Sequence, residues 1–595
     1  MRPAPSSAAS ASGPIAEAEP AGRSNPLALA LILLGLPLLL LWPGPAVWRD
    51  QVLAAPDQEA ATHIWGLWAA LRERQPLFIH STLLGWPAGV RLVLVDAANL
   101  PAFALGYALG GPAAGYNSVL YFGLVLQGVA GALLARVVGG RVWLGALAAM
   151  ACPTLLSNAA DGMTEGFAVG WIGVQLAALI RYLRGDGRGW GLLAALGLAL
   201  AWYGGPYNGL FAAIIDAVLG LALLGRARAG PGLGLTARRL AAVASGAALA
   251  VAPLAYGVLF LRDAELPGSD LRAGLPKIVN NPAIFRGGVQ TGADLLDPLL
   301  PGPLTGGEAP ISHTAYLGLL GVALAVAVVG RERRRWPWLA GAAAFAALSL
   351  GPYLYLRGEA ITVGGHALLG PAGVATLLVP PLGRLTRWYR AGAVATLLLA
   401  PLLSLSASRV SSRPAAGPLI GAALLLDLLV AAPLAWPLHA TPLPESAPYA
   451  ALQGEGAILE LPRNTTGEPP PGGWRDLTAL AQTLHGRPVP GTIMRLATPP
   501  GAAEHTQSIQ GLLRTGAWPA LDRRHVLADG YRWLAINLDR APLTTRMWAN
   551  LNACLGPPLA EGKEVVLWSL TATDDGHDCA PGSAPGDQPR PAPAD

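Results

Sequence analysis

Charge is scarce in this chain. Of 595 residues only 13% are Asp, Glu, Lys or Arg, where a soluble domain carries about 25%. With 53% hydrophobic residues and a mean hydropathy of +0.43, the shortage excludes an ordinary water-soluble protein. No soluble core hides so many apolar runs, each near the roughly 20 residues that cross a hydrocarbon layer. Lysine is almost missing: only Lys277 and Lys563 occur, and arginine supplies the other basic charges. The net charge of +5 does not point to nucleic acid, because the basic residues are spread through short loops as orientation signals are. Cysteine is limited to three residues, and none forms a CxxC or Cys/His metal spacing. Cys152 lies in an apolar run and reads as packing. Cys554 and Cys579 lie in the polar C-terminal part and could pair if it faces an oxidising compartment.

What is present is a series of apolar runs broken by Arg or Pro/Gly. Residues 1–25 are rich in Ala, Ser, Pro and Gly and read as a disordered cytoplasmic segment. The run from Asn25 to Trp48 is too long for a signal-peptide core and reads as a retained first span. Further runs lie near 115–137, 142–158, 164–182, 190–204, 207–224, 239–261, 314–330, 337–355, 391–406 and 416–437, about eleven spans in all. Residues 92–111, broken by Asn99-Leu100-Pro101 and Gly110-Gly111-Pro112, read as a re-entrant or interfacial helix.

Arginines concentrate on one set of loops: Arg136 and Arg141; Arg181, Arg184 and Arg188; Arg226, Arg228, Arg238 and Arg239; Arg331 and Arg333 to Arg335; Arg409 and Arg413. The positive-inside rule makes that side cytoplasmic. The expected organisation is then a transmembrane domain over 26–437 with outer loops at 49–97, 262–313 and 356–390. An extracytoplasmic α/β domain follows over 438–579, where apolar strands alternate with helix-like stretches. A disordered tail covers 580–595.

The first outer loop carries Asp57, Glu59 and His63. Apolar residues 60, 64, 67, 68 and 71 recur at helical spacing, which predicts an amphipathic helix on the membrane surface. Asp57 and Glu59 at its start are ordinary capping chemistry. Alternatively they form an outer carboxylate pair serving as a general base or holding a divalent cation, with His63 one turn on. A second acidic pair, Asp161 and Glu165, sits at the mouth of another span; helix capping and function are both open there, and carboxylates at a membrane mouth are costly unless solvated or paired. Arg384, Arg387 and Arg390 fall on the outer side, against the positive-inside rule. Guanidinium groups there suit an anionic ligand such as a lipid phosphate.

Five stretches give the chain a resemblance to a known superfamily: Asp57 through Trp68 continuing to Gly85-Trp86-Pro87; Gly115-Tyr116-Asn117 opening a span; Asp294-Leu295-Leu296-Asp297-Pro298 leading to His313 and Tyr316-Leu317-Gly318; Leu348-Ser349-Leu350-Gly351-Pro352, followed later by Arg387 and Arg390; and Leu459-Glu460-Leu461-Pro462 with His485-Gly486-Arg487-Pro488. In this order they resemble bacterial GT-C membrane glycosyltransferases, and within them the YfhO-like group. The resemblance implies a multi-pass protein of the bacterial plasma membrane. It would transfer a sugar from a polyprenyl-phosphate donor to an envelope glycan, lipid or protein. Asp57 would be the catalytic base and Glu59 its second member. Arg387 or Arg390 would hold the donor phosphate, with His63 and His313 on the substrate side. Metal dependence, through Mg2+ or Mn2+, stays open. A lipid-linked glycan flippase and a non-catalytic membrane scaffold are the rival readings. A flippase would need charges buried mid-span; Asp216 and Asp427 are the only acids inside apolar runs, and both stand alone.

Overall fold

The computed structural model describes residues 26–55, 59–94, 96–227, 233–256, 292–300, 314–364, 366–379, 382, 385, 387–409, 415–431, 436–461, 477–490, 500–538 and 542–571. Asp57, His313, Arg384 and Cys579 lie outside these residues. Each of the apolar runs holds a helix. Among the described residues, five helices are long and apolar enough to cross a membrane: Ala97–Val138, Glu165–Arg184, Pro206–Leu224, Leu233–Tyr256 and Trp388–Arg409. The pair Val142–Met150 and Pro153–Ala160, bent by 40°, makes a sixth if counted as one span. The other helices are shorter, among them Pro26–Leu40, Leu319–Arg331 and Ala416–Leu426. Some lipid-length helices keep an apolar face uncovered: Leu221 is 71% exposed and Leu249 78%. Such a face is stable against hydrocarbon and not against water. The chain is a polytopic membrane protein.

Residues 92–111, expected as a re-entrant or interfacial helix, hold the end of a strand and the first part of a broken helix. Val90–Val93 is a strand paired antiparallel with Phe78–Ser81. The helix begins at Leu100, with Pro101 in its first turn, where a missing N–H costs nothing. It runs to Val138 with a break at Gly110 and Gly111 ahead of Pro112. Gly111 has φ +77°, which a side chain would resist. Beyond the break the buried Asn117 accepts from the Leu53 N–H (3.0 Å) and donates to the carbonyls of Trp48 (3.1 Å) and Gln51 (2.8 Å). That one amide fixes the start of the first outer loop.

The helix Ala391–Arg409 is the axis of the bundle, buried over nearly its whole length. The arginine-dense loops gather at its C-terminal end. Arg184 donates to the Val137 carbonyl (3.1 Å), Arg335 to that of Val138 (2.9 Å) and Arg239 to that of Leu183 (2.9 Å), while Arg409 pairs with Glu332. Cations at helix C-termini also complement the backbone dipole.

The C-terminal segment forms a four-stranded sheet. Its order is Ala560–Glu561, Val565–Ser569, Tyr531–Asn537, Ala457–Leu461; the last pair is parallel and the others antiparallel. Helices Leu477–His485, Pro500–Thr515, Ala520–Ala528 and Thr545–Leu555 accompany it. Cys554 is disulfide-bonded. The expected surface helix, Ala60–Arg72, is instead buried all round its circumference except near its C-terminus. Periodicity finds one apolar face. It misses the second cover, the Leu477–His485 helix, whose Gln482 accepts from the Trp65 indole (2.5 Å) and donates to the carbonyls of Leu83 and Arg487. Arg72 donates to the Gly486 carbonyl (3.1 Å), and Trp86 donates its indole N–H to the Asp529 carbonyl (2.5 Å).

Candidate active site

Four segments distant in sequence meet at the end of the bundle opposite the arginine-dense loops. The first is the start of the Ala60–Arg72 helix. Glu59 occupies its N-cap position yet makes no capping hydrogen bond with its side chain. Its carboxylate forms an ion pair with the Arg387 guanidinium instead. The capping reading therefore fails for Glu59.

The second segment joins two helices across the turn Asp161-Gly162-Met163-Thr164-Glu165. Asp161 and Glu165 do not share one helix. Asp161 closes Pro153–Ala160, and Glu165 opens a 3-10 turn after Gly162, whose φ of +78° reverses the chain. A carboxylate at a helix C-terminus is disfavoured by the dipole, so Asp161 is not a cap. It stands 3.5 Å from the Arg387 guanidinium, and Glu165 pairs with Arg390. Ala55 and Glu59 are tied to this turn, the Ala55 N–H donating to the Ala160 carbonyl (2.7 Å) and the Glu59 N–H to that of Asp161 (3.2 Å).

Both arginines come from the short turn that opens the axial helix. Arg390 is 5% exposed, lies over the Tyr207 ring (4.8 Å) and reaches the Met163 sulfur (2.9 Å). The Arg387 side chain is 30% exposed, and its backbone N–H donates to the Tyr207 hydroxyl (2.9 Å). The charges of Glu59 and Asp161 outweigh the burial of Arg387 and hold its guanidinium firmly protonated. Burial pushes the Asp161 carboxyl up to about 7; Arg387 opposes that shift and Glu59 adds to it.

The fourth segment, Asp96 to Asn99, was not singled out from sequence as part of the site. Its only signal in the sequence is an acid near the end of the 49–97 outer loop. Asp96 is 2% exposed, accepts from the Thr164 hydroxyl and lies 3.5 Å from His63 Nδ1. His63 Nδ1 is 2.9 Å from the same hydroxyl.

Of the residues expected from sequence, Glu59, Asp161, Glu165, Arg387, Arg390 and His63 are thus brought together; Asp57 and His313 fall outside the described residues. Three or more His, Cys, Asp or Glu placed to hold a metal ion do not occur among the described residues. Glu59 and Asp161 turn to Arg387, and Glu165 to Arg390.

No protein-family model and no curated protein matches this chain. Solved structures do. Arabinofuranosyltransferase AftD from Mycobacteria is 17% identical, with 92% of this chain covering 40% of that one at a TM-score of 0.45. ArnT from Cupriavidus metallidurans, bound to undecaprenyl phosphate, is 13% identical, with 91% and 98% covered and a TM-score of 0.45. The oligosaccharyltransferase AglB from Archaeoglobus fulgidus, in complex with an inhibitory peptide and a dolichol-phosphate, is 12% identical, with 88% and 70% covered and a TM-score of 0.44. The chain spans about two fifths of the length of the arabinofuranosyltransferase it matches.

Proposed function

We propose that this chain is a GT-C-type membrane glycosyltransferase, taking a sugar from a polyprenyl-phosphate donor on the outer face of a bacterial plasma membrane. The observation that supports this most is the meeting of Glu59 and Asp161 at Arg387, beside the buried Arg390–Glu165 pair, at one mouth of an apolar bundle. Carboxylates and guanidinium groups at that level serve a substrate whose head is charged and whose tail stays in lipid.

An acceptor hydroxyl attacks the anomeric carbon from the side opposite the phosphate. The new carbon–oxygen bond forms as the bond from the anomeric carbon to phosphate oxygen breaks, with inversion. The hydroxyl proton passes to a carboxylate, Asp57 in the first place with Glu59 as its neighbour. The electron pair leaves with the lipid phosphate, whose charge Arg387 stabilises. Arg387 suits this role better than Arg390, which is buried and held by Glu165. The phosphate displaces Glu59 from Arg387, which exchanges one anionic partner for another and releases Glu59 toward the acceptor. The acceptor is a glycan, lipid or protein of the envelope.

The test is to offer radiolabelled polyprenyl-phosphate sugar to the purified protein together with envelope lipid and glycan fractions. Transfer of label by wild type, abolished by Asp57→Asn while that variant still accumulates in the membrane, supports the proposal. Wild-type transfer by Asp57→Asn removes Asp57 from the mechanism, and no transfer from any polyprenyl donor overturns the reading.

A further inference from the structure

Behind the ion pairs lies a second polar cluster that the proposed chemistry does not use. His63, Thr164 and Asp96 come from three segments and are 5%, 0% and 2% exposed. The hydrogen bonds run in one direction. Asp96, as a carboxylate, accepts from the Thr164 hydroxyl. That hydroxyl has spent its one proton, so its oxygen accepts from His63 Nδ1 at 2.9 Å. Nδ1 therefore carries a hydrogen, and Nε2 is the nitrogen that gains or loses the titrating proton. Asn99 grips the same turn from the other side, donating to the Thr164 carbonyl at 3.0 Å.

Thr164 lies between two residues that touch the arginines. Met163 presents its sulfur to Arg387 (2.7 Å) and Arg390 (2.9 Å), and Glu165 pairs with Arg390. Whatever fixes Thr164 therefore fixes the partners of both guanidinium groups. His63 also sits one turn after Glu59 on a single helix, on the same face.

We propose that Asp96 is a positioning residue which, through Thr164, orients Glu165 and Met163 against Arg387 and Arg390 and holds His63 beside the carboxylates. This rests on the transferase reading for its catalytic consequence but not for its structural one. The groups facing His63 are Asp96 from the preceding loop, Glu59 from its own helix and Asp161 and Glu165 from the turn, with Tyr116 facing Asp96 and Asp161 from below. Burial alone pulls His63 down. Hydrogen bonding and charge from Asp96, joined by Glu165 and Glu59, overcome it and leave His63 above its ordinary 6.5. A histidine raised in the folded state adds stability that is fully present below 6.5 and fades as pH rises through the folded value.

The experiment compares wild type, Asp96→Asn, Thr164→Ser, Thr164→Val and His63→Gln in detergent by thermal unfolding across pH 5 to 9, with donor turnover measured over the same range. Asp96→Asn keeps shape and hydrogen-bonding capacity but removes the charge. It should move the pH at which His63 loses its stabilising effect, and the alkaline fall of turnover, toward acid by about one unit. Thr164→Ser should follow wild type, and Thr164→Val, which keeps the Asp96 charge facing His63 but frees the turn that holds Met163 and Glu165, should lose turnover with little change in pH profile. If Asp96→Asn keeps the wild-type pH dependence, or Thr164→Val is indistinguishable from Thr164→Ser, the proposal falls. Should Asp96→Asn not accumulate, the serine–valine pair decides alone. A wild-type protein without turnover overturns the transferase reading, and the unfolding curves still decide the role of Asp96.

Discussion

Arg390 and Arg409 stand at opposite ends of one buried helix, and each is neutralised by a glutamate, Glu165 at one end and Glu332 at the other. The nineteen-residue helix between them is about 28 Å long at 1.5 Å per residue, close to the thickness of a hydrocarbon core. At the Arg409 end the neighbouring arginines belong to the arginine-dense loops. At the Arg390 end they meet carboxylates. The two mouths of the bundle are chemically different.

The Arg390–Glu165 pair is nearly dry, with side chains 5% and 13% exposed. Removing one partner strands the other charge. Arg390→Leu should lower stability by about 3 kcal/mol, and adding Glu165→Gln should recover part of it. Thermal unfolding of the two variants and the double variant measures the coupling.

Arg387 and Glu59 are more exposed, so their pairing adds little to stability. On the transferase reading, Arg387→Lys should unfold near the wild-type temperature but lose binding of a polyprenyl phosphate, because lysine lacks the planar fork. Glu59→Gln should bind the same lipid at least as tightly, since the phosphate no longer competes with a carboxylate. Isothermal titration in detergent separates the two variants.

Asp161 yields a pH prediction. Between its ordinary value of 3.8 and about 7, the folded protein holds a proton that the unfolded chain has released. Each step up in pH then costs stability, and the loss levels off above about 7. Asp161→Asn should flatten that part of the unfolding-temperature profile and be the more stable protein at neutral pH.

Gln482 joins the C-terminal sheet module to the helix carrying His63, accepting from the Trp65 indole and donating to two carbonyls. Gln482→Leu leaves the buried Trp65 indole N–H without its acceptor, at a cost of about 1–3 kcal/mol for a group so stranded. Limited proteolysis should then cut between residues 72 and 90 sooner than in wild type, and turnover should fall with it.

Much was legible in the sequence because it is local. Apolar runs report helices in lipid, and clustered arginines report one end of the bundle. Residues 457–461, 531–538 and 565–570 read as strands, and the structure has strands at Ala457–Leu461, Tyr531–Asn537 and Val565–Ser569. Glu59 and Asp161 stood out because charge is rare here, and Arg387 and Arg390 also because arginine is unexpected on that side.

The partners could not be read in the same way. Glu59 and Arg387 are 328 residues apart, and no periodicity links them. The sequence also left Glu59 and Asp161 equally available as caps; the geometry at the two helix ends decided against it. Asp96 was hidden because an acid in an outer loop looks solvated until the fold buries it against Thr164 and His63. The chain by itself determined which stretches are apolar enough to prefer lipid and which loops carry charge, since those follow from the transfer energy of each residue. Which charges face one another was decided only by packing, because a buried carboxylate must find a donor, and in this fold the donors come from helices far along the chain.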